Sequence, residues 1–369
     1  MRLTNLLNLK HNNFFGIDVG FSSVKVVQMR KGKHGYDVVA AGWEKIAEID
    51  NTTSQSQNAN TASAIRRCVR NCGIKSNLAV CSVEGPEVSV RRFSFPTLTH
   101  EEMKNAVLFE AGQVFPFELK HSTVDYERMN PESWSSDHDQ DVMVPEGQDI
   151  QGVMVAATNR LIQERRQMLK SISLKCALMD VDSLALLNCL TECEKPSSNR
   201  SIACVHVGSF NTHIIVLPTG RLPHLRDLPY AARDVIDQLA SDHNVPVSVM
   251  EKILFTHQGA HRSEADITSS LQKSCKRLVS GLTETLRYYS TQEKIPPVER
   301  IYICGDLALV DGFVDMLGSM LSEEVVVWNP FTSLNCNSIT YGQDIIDQYG
   351  PALAVAAGLA MRTYPDDPN

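Results

Sequence analysis

One pattern constrains this chain more than any other. A short apolar strand, a tight glycine-bearing turn and a second apolar strand occur at Phe14–Met29 and again at Ile202–Leu217. In the first, FFGIDV ends at Gly20 and VKVVQM resumes after Phe21-Ser22-Ser23; in the second, IACVHV ends at Gly208 and THIIVL follows Asn211. Apolar runs of this length, punctuated by Gly and Ser, read as strand–turn–strand units. Two copies far apart in one chain point to an internal structural duplication.

Between the copies the pattern predicts a polar loop at Ala47–Ser63, a basic helix at Ala64–Cys72 and a strand at Leu78–Val83. Thr99 with Glu102 three residues on is a capping box opening the next helix. Asn130–Ile150 is acidic and lacks helical period, a loop between strands Thr123–Met129 and Gly152–Thr158; His138, between two aspartates, reads there as solvated rather than as a metal ligand. Helices are expected at Asn159–Ser171, Asp234–Gly259, Ser269–Thr291 and Pro351–Thr363, with strands at Leu222–Asp227 and Arg300–Cys304.

With 369 residues the chain should form two or three domains. Its 43% hydrophobic and 21% charged residues exclude wholesale disorder. A net charge of −8 argues against a nucleic-acid binder, which usually carries a basic stripe. No apolar run reaches the roughly 18 residues of a membrane span, and MRLTNLLNLKHNN lacks a signal-peptide core, so a cytoplasmic protein without direct membrane insertion is expected. The ten cysteines, with no CxxC, read as reduced thiols.

The two turns carry the chemistry. Around the first, Gly20 lets the backbone approach a ligand, the hydroxyls of Ser22 and Ser23 and successive N–H groups can cradle phosphate oxygens, Lys25 adds charge, and Asp18 can hold a hydrated Mg²⁺. Alone, such a turn is as well read as an ordinary hairpin. A second, with Gly208, Ser209, Asn211 and Thr212, describes a nucleotide held between duplicated domains, the architecture of actin-like ATPases.

At this level of detail the chain resembles the PilM family, actin-like cytoplasmic components of type IV pilus assembly. The resemblance rests on FFGIDVGFSSVKVVQM, VSVRRFSFPTL, VLFEAGQVFPFEL, TVDYERM, ALMDVDSLALLNCL, ACVHVGSFNTHIIVLPTGRLPHLRDLPY, VERIYICGDLALVDGF and GPALAVAAGLAMR, in family order over nearly the whole chain. It implies an α/β actin-like ATPase fold of two duplicated lobes with a small α/β subdomain, 1C, inserted in the first. Subdomain 1A would comprise residues 1–85, 175–199 and 345–369, 1C residues 86–174, 2A residues 200–229 and 275–344, and 2B residues 230–274. Carried over by position, Asp18, Gly20, Phe21, Ser22, Ser23 and Lys25 would hold the phosphates of ATP from one side, and Gly208, Ser209, Asn211 and Thr212 from the other. Gly305 and Asp306 would lie near the adenosine and Glu251 at the ribose, with Asp180 and Asp182 as further polar groups, although Asp182 reads equally as a helix N-cap.

Four departures from the family pattern touch the nucleotide. His206 stands where a carboxylate is usual, Ala231-Ala232 replace a glycine pair, Leu254 replaces a basic residue (Lys252 is nearby), and Gly305-Asp306-Leu307 replaces a glycine cluster. Together they imply weakened ATP and Mg binding and doubtful hydrolysis, which needs a firmly placed metal and an oriented water.

The partner implied by the resemblance is the cytoplasmic amino-terminal peptide of a PilN-like inner-membrane protein, lying extended in a groove between 1A and 1C, with Val114, Phe115, Pro116 and Phe117 as candidate wall residues. It would hold the protein at the inner face of the membrane. The same four residues read equally as the core of the inserted subdomain. The string Thr4–Leu9 (TNLLNL) resembles the partner's own motif. Self-association stays open. Two other classes fit the fold: a sugar-kinase-like phosphotransferase, which would need a carboxylate base and larger insertions, and an FtsA-like filament-forming membrane tether, whose terminal amphipathic helix contrasts with MRTYPDDPN.

Overall fold

The computed structural model describes residues 14–32, 35–47, 54–129, 149–256, 264–291 and 296–362. The chain runs β1 (Phe14–Val19), β2 (Ser23–Gly32), β3 (Gly35–Lys45), α1 (Ser54–Asn71), β4 (Leu78–Val83), β5 (Val88–Phe95), α2 (His100–Val114), β6 (Ser122–Arg128), β7 (Ile150–Thr158), α3 (Asn159–Ser171), β8 (Lys175–Val181) and α4 (Asp182–Cys193). It continues through β9 (Ser201–Val207), β10 (Thr212–Pro218), β11 (His224–Leu228), α5 (Ala232–Asp242), α6 (Val247–Thr256), α7 (Glu264–Ser274), α8 (Lys276–Ser290), β12 (Val298–Gly305), α9 (Phe313–Met320), β13 (Glu324–Val327), α10 (Gln343–Tyr349) and α11 (Ala354–Ala360).

The duplication is visible in the sheets. One has the strand order β3-β2-β1-β4-β8 and the other β11-β10-β9-β12-β13, the same plan twice. In each, an antiparallel three-strand meander is extended on its inner side by a parallel strand, β1 pairing with β4 and β9 with β12. A third, antiparallel sheet has the order β5-β7-β6. The chain divides into two compact units, with boundaries at Ser82/Val83, Gln163/Glu164, Glu194/Lys195 and Trp328/Asn329; the second contains the three-stranded sheet as well as its own five-stranded one.

In the first unit alternate residues sort cleanly between the faces of the sheet. Phe15, Ile17, Ala79 and Cys81 join Ile65 and Cys68 of α1 and Leu169 of α3, whereas Val80 packs with Ala185 of α4 and with Val355 and Leu359 of α11. The second face is exceptionally close. A Cβ on Gly358 would lie 1.8 Å from the Ala185 carbonyl oxygen, and one on Gly16 would lie 2.2 Å from that of Ala356. The small residues of AVAAGLA therefore let the α11 backbone touch its neighbours, and all seven are buried. The second unit has the larger core, in which Val205, Val207 and Ile214 pack against Val235 and Leu239 of α5, Leu278 and Leu282 of α8, and Phe313 of α9.

Several expectations need correction. The segment read as loop down to Ser63 is helical from Ser54, because its polar outer face masks the period of the buried Ala62, Ala64, Ile65 and Cys68. The helix read at 234–259 is two, α5 and α6, separated by Asn244 with φ +51° and by Pro246. The 269–291 helix likewise breaks at Cys275 and starts earlier, at Glu264. The last helix is preceded by a 3-10 turn at Gly350–Leu353. His138 and Thr4–Leu9 lie outside the described residues.

Within the second unit β5 lies against β11. His224 of β11 is half-buried there, its ring centroid 5.7 Å from that of Tyr288. Burial, then the positive charges of Arg92 and Arg226, push its imidazole down to about 4.

Two outcomes follow from this packing. Gly358→Ala should lower unfolding free energy by about 2–3 kcal/mol in urea titrations, since the new Cβ would force the packed α11 and α4 backbones apart. Gly112→Ala, where the nearest atom to the new Cβ is 3.8 Å away, should be neutral or slightly stabilising. The second concerns pH. With a folded pKa of about 4 against about 6.5 unfolded, the unfolded chain binds more protons at His224 between those values, so stability falls as pH drops from 6.5 to 4. Paired denaturation curves at pH 7 and 5 should show a smaller loss in His224→Phe than in the parent.

Candidate functional site

The first glycine turn is the tip of the β1–β2 hairpin. It is closed by a bond from the Gly20 amide to the Ser23 carbonyl (3.0 Å) and tied to the end of β3 by the Ile46 amide, which donates to the Ser22 carbonyl (2.8 Å). Asp18 and Lys25 are direct partners across the hairpin, and Lys25 Nζ lies 3.7 Å from Asp18 Oδ2 with both side chains almost wholly buried. Two buried opposite charges at this distance offset part of each other's desolvation. Ser23 is buried too, and its Oγ has no hydrogen-bond partner among the described residues. Phe21 and Ser22 are half-buried at the tip.

The same edge of this sheet receives the end of β8. The Lys175 amide at the start of β8 bonds the Asn77 carbonyl just before β4 (2.8 Å), so both strands begin at one edge and end at the other, the edge where β1 ends. In open α/β sheets the carboxyl ends of parallel strands are where ligands bind. Asp180 is occupied structurally: Oδ1 accepts from the Val181 amide (2.8 Å) and Oδ2 from Arg362 Nε (2.5 Å). Asp182 is not an N-cap. Val181 holds that position and Asp182 sits buried in the first turn of α4, where the helix dipole favours a carboxylate. The adjacent Ser183 Oγ is also buried without a partner among the described residues.

The second turn lies between β9 and β10 and is built alike. The Gly208 amide donates to the Asn211 carbonyl (3.1 Å), and the Gly208 carbonyl accepts from the Ala232 amide (3.0 Å) at the start of α5. Gly305 is brought to this turn by pairing with Val207; its φ of +95°, and the 2.5 Å that would separate a Cβ from the Val207 carbonyl oxygen, admit only glycine. Ser209 and Asn211 are half-buried. Thr212 is wholly buried and its Oγ1 donates to the Tyr230 carbonyl (2.7 Å), so this hydroxyl proton serves the fold. Asp306 is half-buried beside Gly305, and Glu251 sits on α6, which packs on α5.

The four departures take on a different meaning here. Leu254 and Leu307 are buried members of the second unit's core, so neither puts bulk at the turn surface. Ala231 has extended backbone (φ −146°), a conformation open to any residue, and its amide donates to Asp234 Oδ2 (2.8 Å). His206 remains a chemical difference: it is buried, its ring stacked on that of His213 (centroids 5.8 Å apart), and His213 Nδ1 lies 2.7 Å from Asp227 Oδ1.

A separate feature lies on the three-stranded sheet. The capping box is present, with Glu102 accepting from the Thr99 amide (2.8 Å), and Met103, Val107, Ala111 and Phe115 turn into the subdomain core with Phe93, Ile150 and Met154. Val114 packs on that core as well, so it and Phe115 are chiefly structural. Beyond α2 a surface hollow of about 590 Å³ is lined by Phe115, Pro116, Phe117 and Leu119, with Gly112, Glu118 and Lys120 completing it. Phe117 stacks on Phe115 with centroids 6.0 Å apart. Leu108 and Phe109 project from α2 at 42% and 71% exposure. Sequence reasoning missed these two, although the helical period that turns Met103, Val107 and Ala111 inward leaves them outside. Beside the hollow, β6 is an edge strand with no outer neighbour among the described residues.

A family model described as type IV pilus assembly protein PilM matches residues 16–364. Among solved structures the chain is similar to one titled PilM-PilN type IV pilus biogenesis complex, with a TM-score of 0.77 and 20% identity over 95% of this chain and 98% of that one. It is also similar to the ethanolamine utilization protein EutJ from Carboxydothermus hydrogenoformans, with a TM-score of 0.50 and 12% identity over 94% of this chain and 88% of that one. The fold is thus the α/β actin-like ATPase fold, doubled as the strand orders require. No helix among the described residues is long and apolar enough to cross a membrane.

Proposed function

The chain belongs to the family of type IV pilus assembly protein PilM, and we propose that it works there as a cytoplasmic adaptor that captures the amino-terminal cytoplasmic peptide of a PilN-like inner-membrane protein. The observation that carries this reading is the hollow beside β6. An extended peptide can add to a free strand edge through main-chain bonds while alternate side chains enter pockets. Phe117, Pro116 and Leu119 supply an apolar wall, Glu118 and Lys120 a polar rim, and Phe109 a large exposed ring nearby. Docking on such a partner would hold the protein at the inner face of the membrane. The same reading divides the chain into subdomains 1A, 1C, 2A and 2B at the boundaries given under Sequence analysis, with the hollow on 1C.

Nucleotide binding is the second reading, and the first hairpin favours it. The orphaned, buried Ser23 Oγ, the backbone amides at the tip, Lys25 and Asp18 form a donor set suited to phosphate and a hydrated Mg²⁺. The second turn offers less. Its Thr212 proton is spent on Tyr230, and His206 presents an imidazole where a hard cation prefers oxygen. We therefore assign ATP, with Mg, a binding role supported by the first hairpin, and no efficient hydrolysis.

Fluorescence anisotropy with labelled amino-terminal peptides of PilN-like proteins tests the adaptor. Phe117→Ala should weaken binding by about 1.5–3 kcal/mol, as expected of a central aromatic anchor. If none of these peptides binds the parent protein, the adaptor reading falls. For the nucleotide, Mg-ATP at a hundred times its dissociation constant should stabilise the protein by about 2.7 kcal/mol in thermal melts, with the gain lost in Asp18→Ala. An unshifted melt at millimolar Mg-ATP would mean that the hairpin is a bare turn.

A further inference from the structure

The chain has ten free thiols, and three pairs of them are close neighbours. Cys204 and Cys304 lie with sulfurs 3.8 Å apart but are sealed in the second unit's sheet, and Cys68 of α1 and Cys72 just after it are buried. The third pair differs. Cys81 of β4 and Cys176 of β8 face the α1/α3 side of the first sheet with sulfurs 3.6 Å apart, and Cys176 is half-buried rather than sealed.

Their surroundings are asymmetric. Cys81 is fully enclosed, and its thiol is held well above the ordinary range by its hydrogen bond to Cys176 and by burial. Cys176 is pulled the other way, first by the hydrogen bond from Cys81 and then, against its own burial, by the positive charges of Arg166 and Arg165 on α3. Arg165 has a buried Nη1 with no hydrogen-bond partner among the described residues, a positive group not committed elsewhere at that atom. When neutral, Cys176 directs its proton to the Leu178 carbonyl at 3.4 Å.

We propose that Cys176 and Cys81 form a peroxide-sensing dithiol, with Cys176 the attacking sulfur and Cys81 the resolving one. The oxidant is a hydroperoxide. The Cys176 thiolate attacks one peroxide oxygen; the S–O bond forms as the O–O bond breaks, and the departing oxygen leaves as hydroxide or alkoxide, which is protonated. Cys176 is thereby oxidised to a sulfenic acid and the peroxide is reduced. Cys81 then gives up its proton, its sulfur displaces the sulfenic hydroxyl, and water leaves as the S–S bond closes. The sulfurs must approach from 3.6 Å to about 2.05 Å. The product staples β4 to β8, the strand that carries Asp180.

The test uses the full-length reduced protein treated with hydrogen peroxide, alkylated and digested without reductant. The expected product is a Cys81–Cys176 cross-linked peptide pair that forms before any other thiol is oxidised and is reversed by dithiothreitol. In Cys81→Ala the intermediate should accumulate as a dimedone adduct on Cys176. Replacing both Arg165 and Arg166 with Gln should slow cross-linking about tenfold. A cross-link at Cys204–Cys304 instead, or earlier oxidation of the half-buried Cys193 or Cys336, overturns the proposal. Should Cys81→Ala fail to fold, an alkylation race in the parent protein decides. Cys176 should react with iodoacetamide about tenfold faster than Cys193 and Cys336; equal rates reject the idea.

Discussion

Each five-stranded sheet is organised by a strand paired on both sides, β9 along its whole length and β1 at Gly16 and Ile17. β9 is buried throughout and β1 nearly so, with an antiparallel neighbour on one side and a parallel one on the other. Such a strand must satisfy its amides and carbonyls within the sheet, since leaving them bare in an apolar interior costs several kcal/mol each. The first backbone groups released from that obligation are those at the hairpin tip. Binding capacity therefore concentrates at Gly20–Ser23 and Gly208–Asn211, where the Gly20 and Gly208 amides close the turns and Ser22, Ser23 and Ser209 bring hydroxyls to the tips. Gly305, pressed against Val207, extends the same edge in the second unit.

How much of this could be read in advance depends on how local the determinants are. The hairpins, β4, the capping box at Thr99 and the small-residue helix near the carboxyl end were legible because apolar runs, glycine and cap residues act over a few neighbours. The polar start of α1 was not, since Gln, Asn and Ser there hide the spacing of the residues that pack. β13, four residues at a sheet edge, is too short to leave a pattern. The candidate site was half legible. Positions at the turns could be named, but burial decides what the substitutions mean: Leu254 and Leu307 belong to the core, and Thr212 and Asp180 already have structural partners. A linear pattern does not encode which way a side chain faces when tertiary packing chooses.

The three-stranded sheet shows the complementary economy. Its β5 edge lies against β11 and its centre is taken by β7, which leaves β6 as the strand with capacity to spare. Nearby, α2 spends one face on the core and presents Leu108 and Phe109 on the other. A module that keeps apolar rings in water beside an incomplete edge has surplus surface of the kind an extended partner can cover.

The first unit is assembled from segments that the ribosome delivers far apart in time. Its sheet begins with the earliest described residues, yet Val355 and Leu359, which cover one face against Val80 and Ala185, come among the last. During synthesis that face must wait uncovered while both segments of the second unit, Val83–Gln163 and Lys195–Trp328, emerge. Completion of the early half is thus coupled to the emergence of α11, and a nascent chain stalled before α11 would expose an apolar sheet face to whatever chaperones attend it.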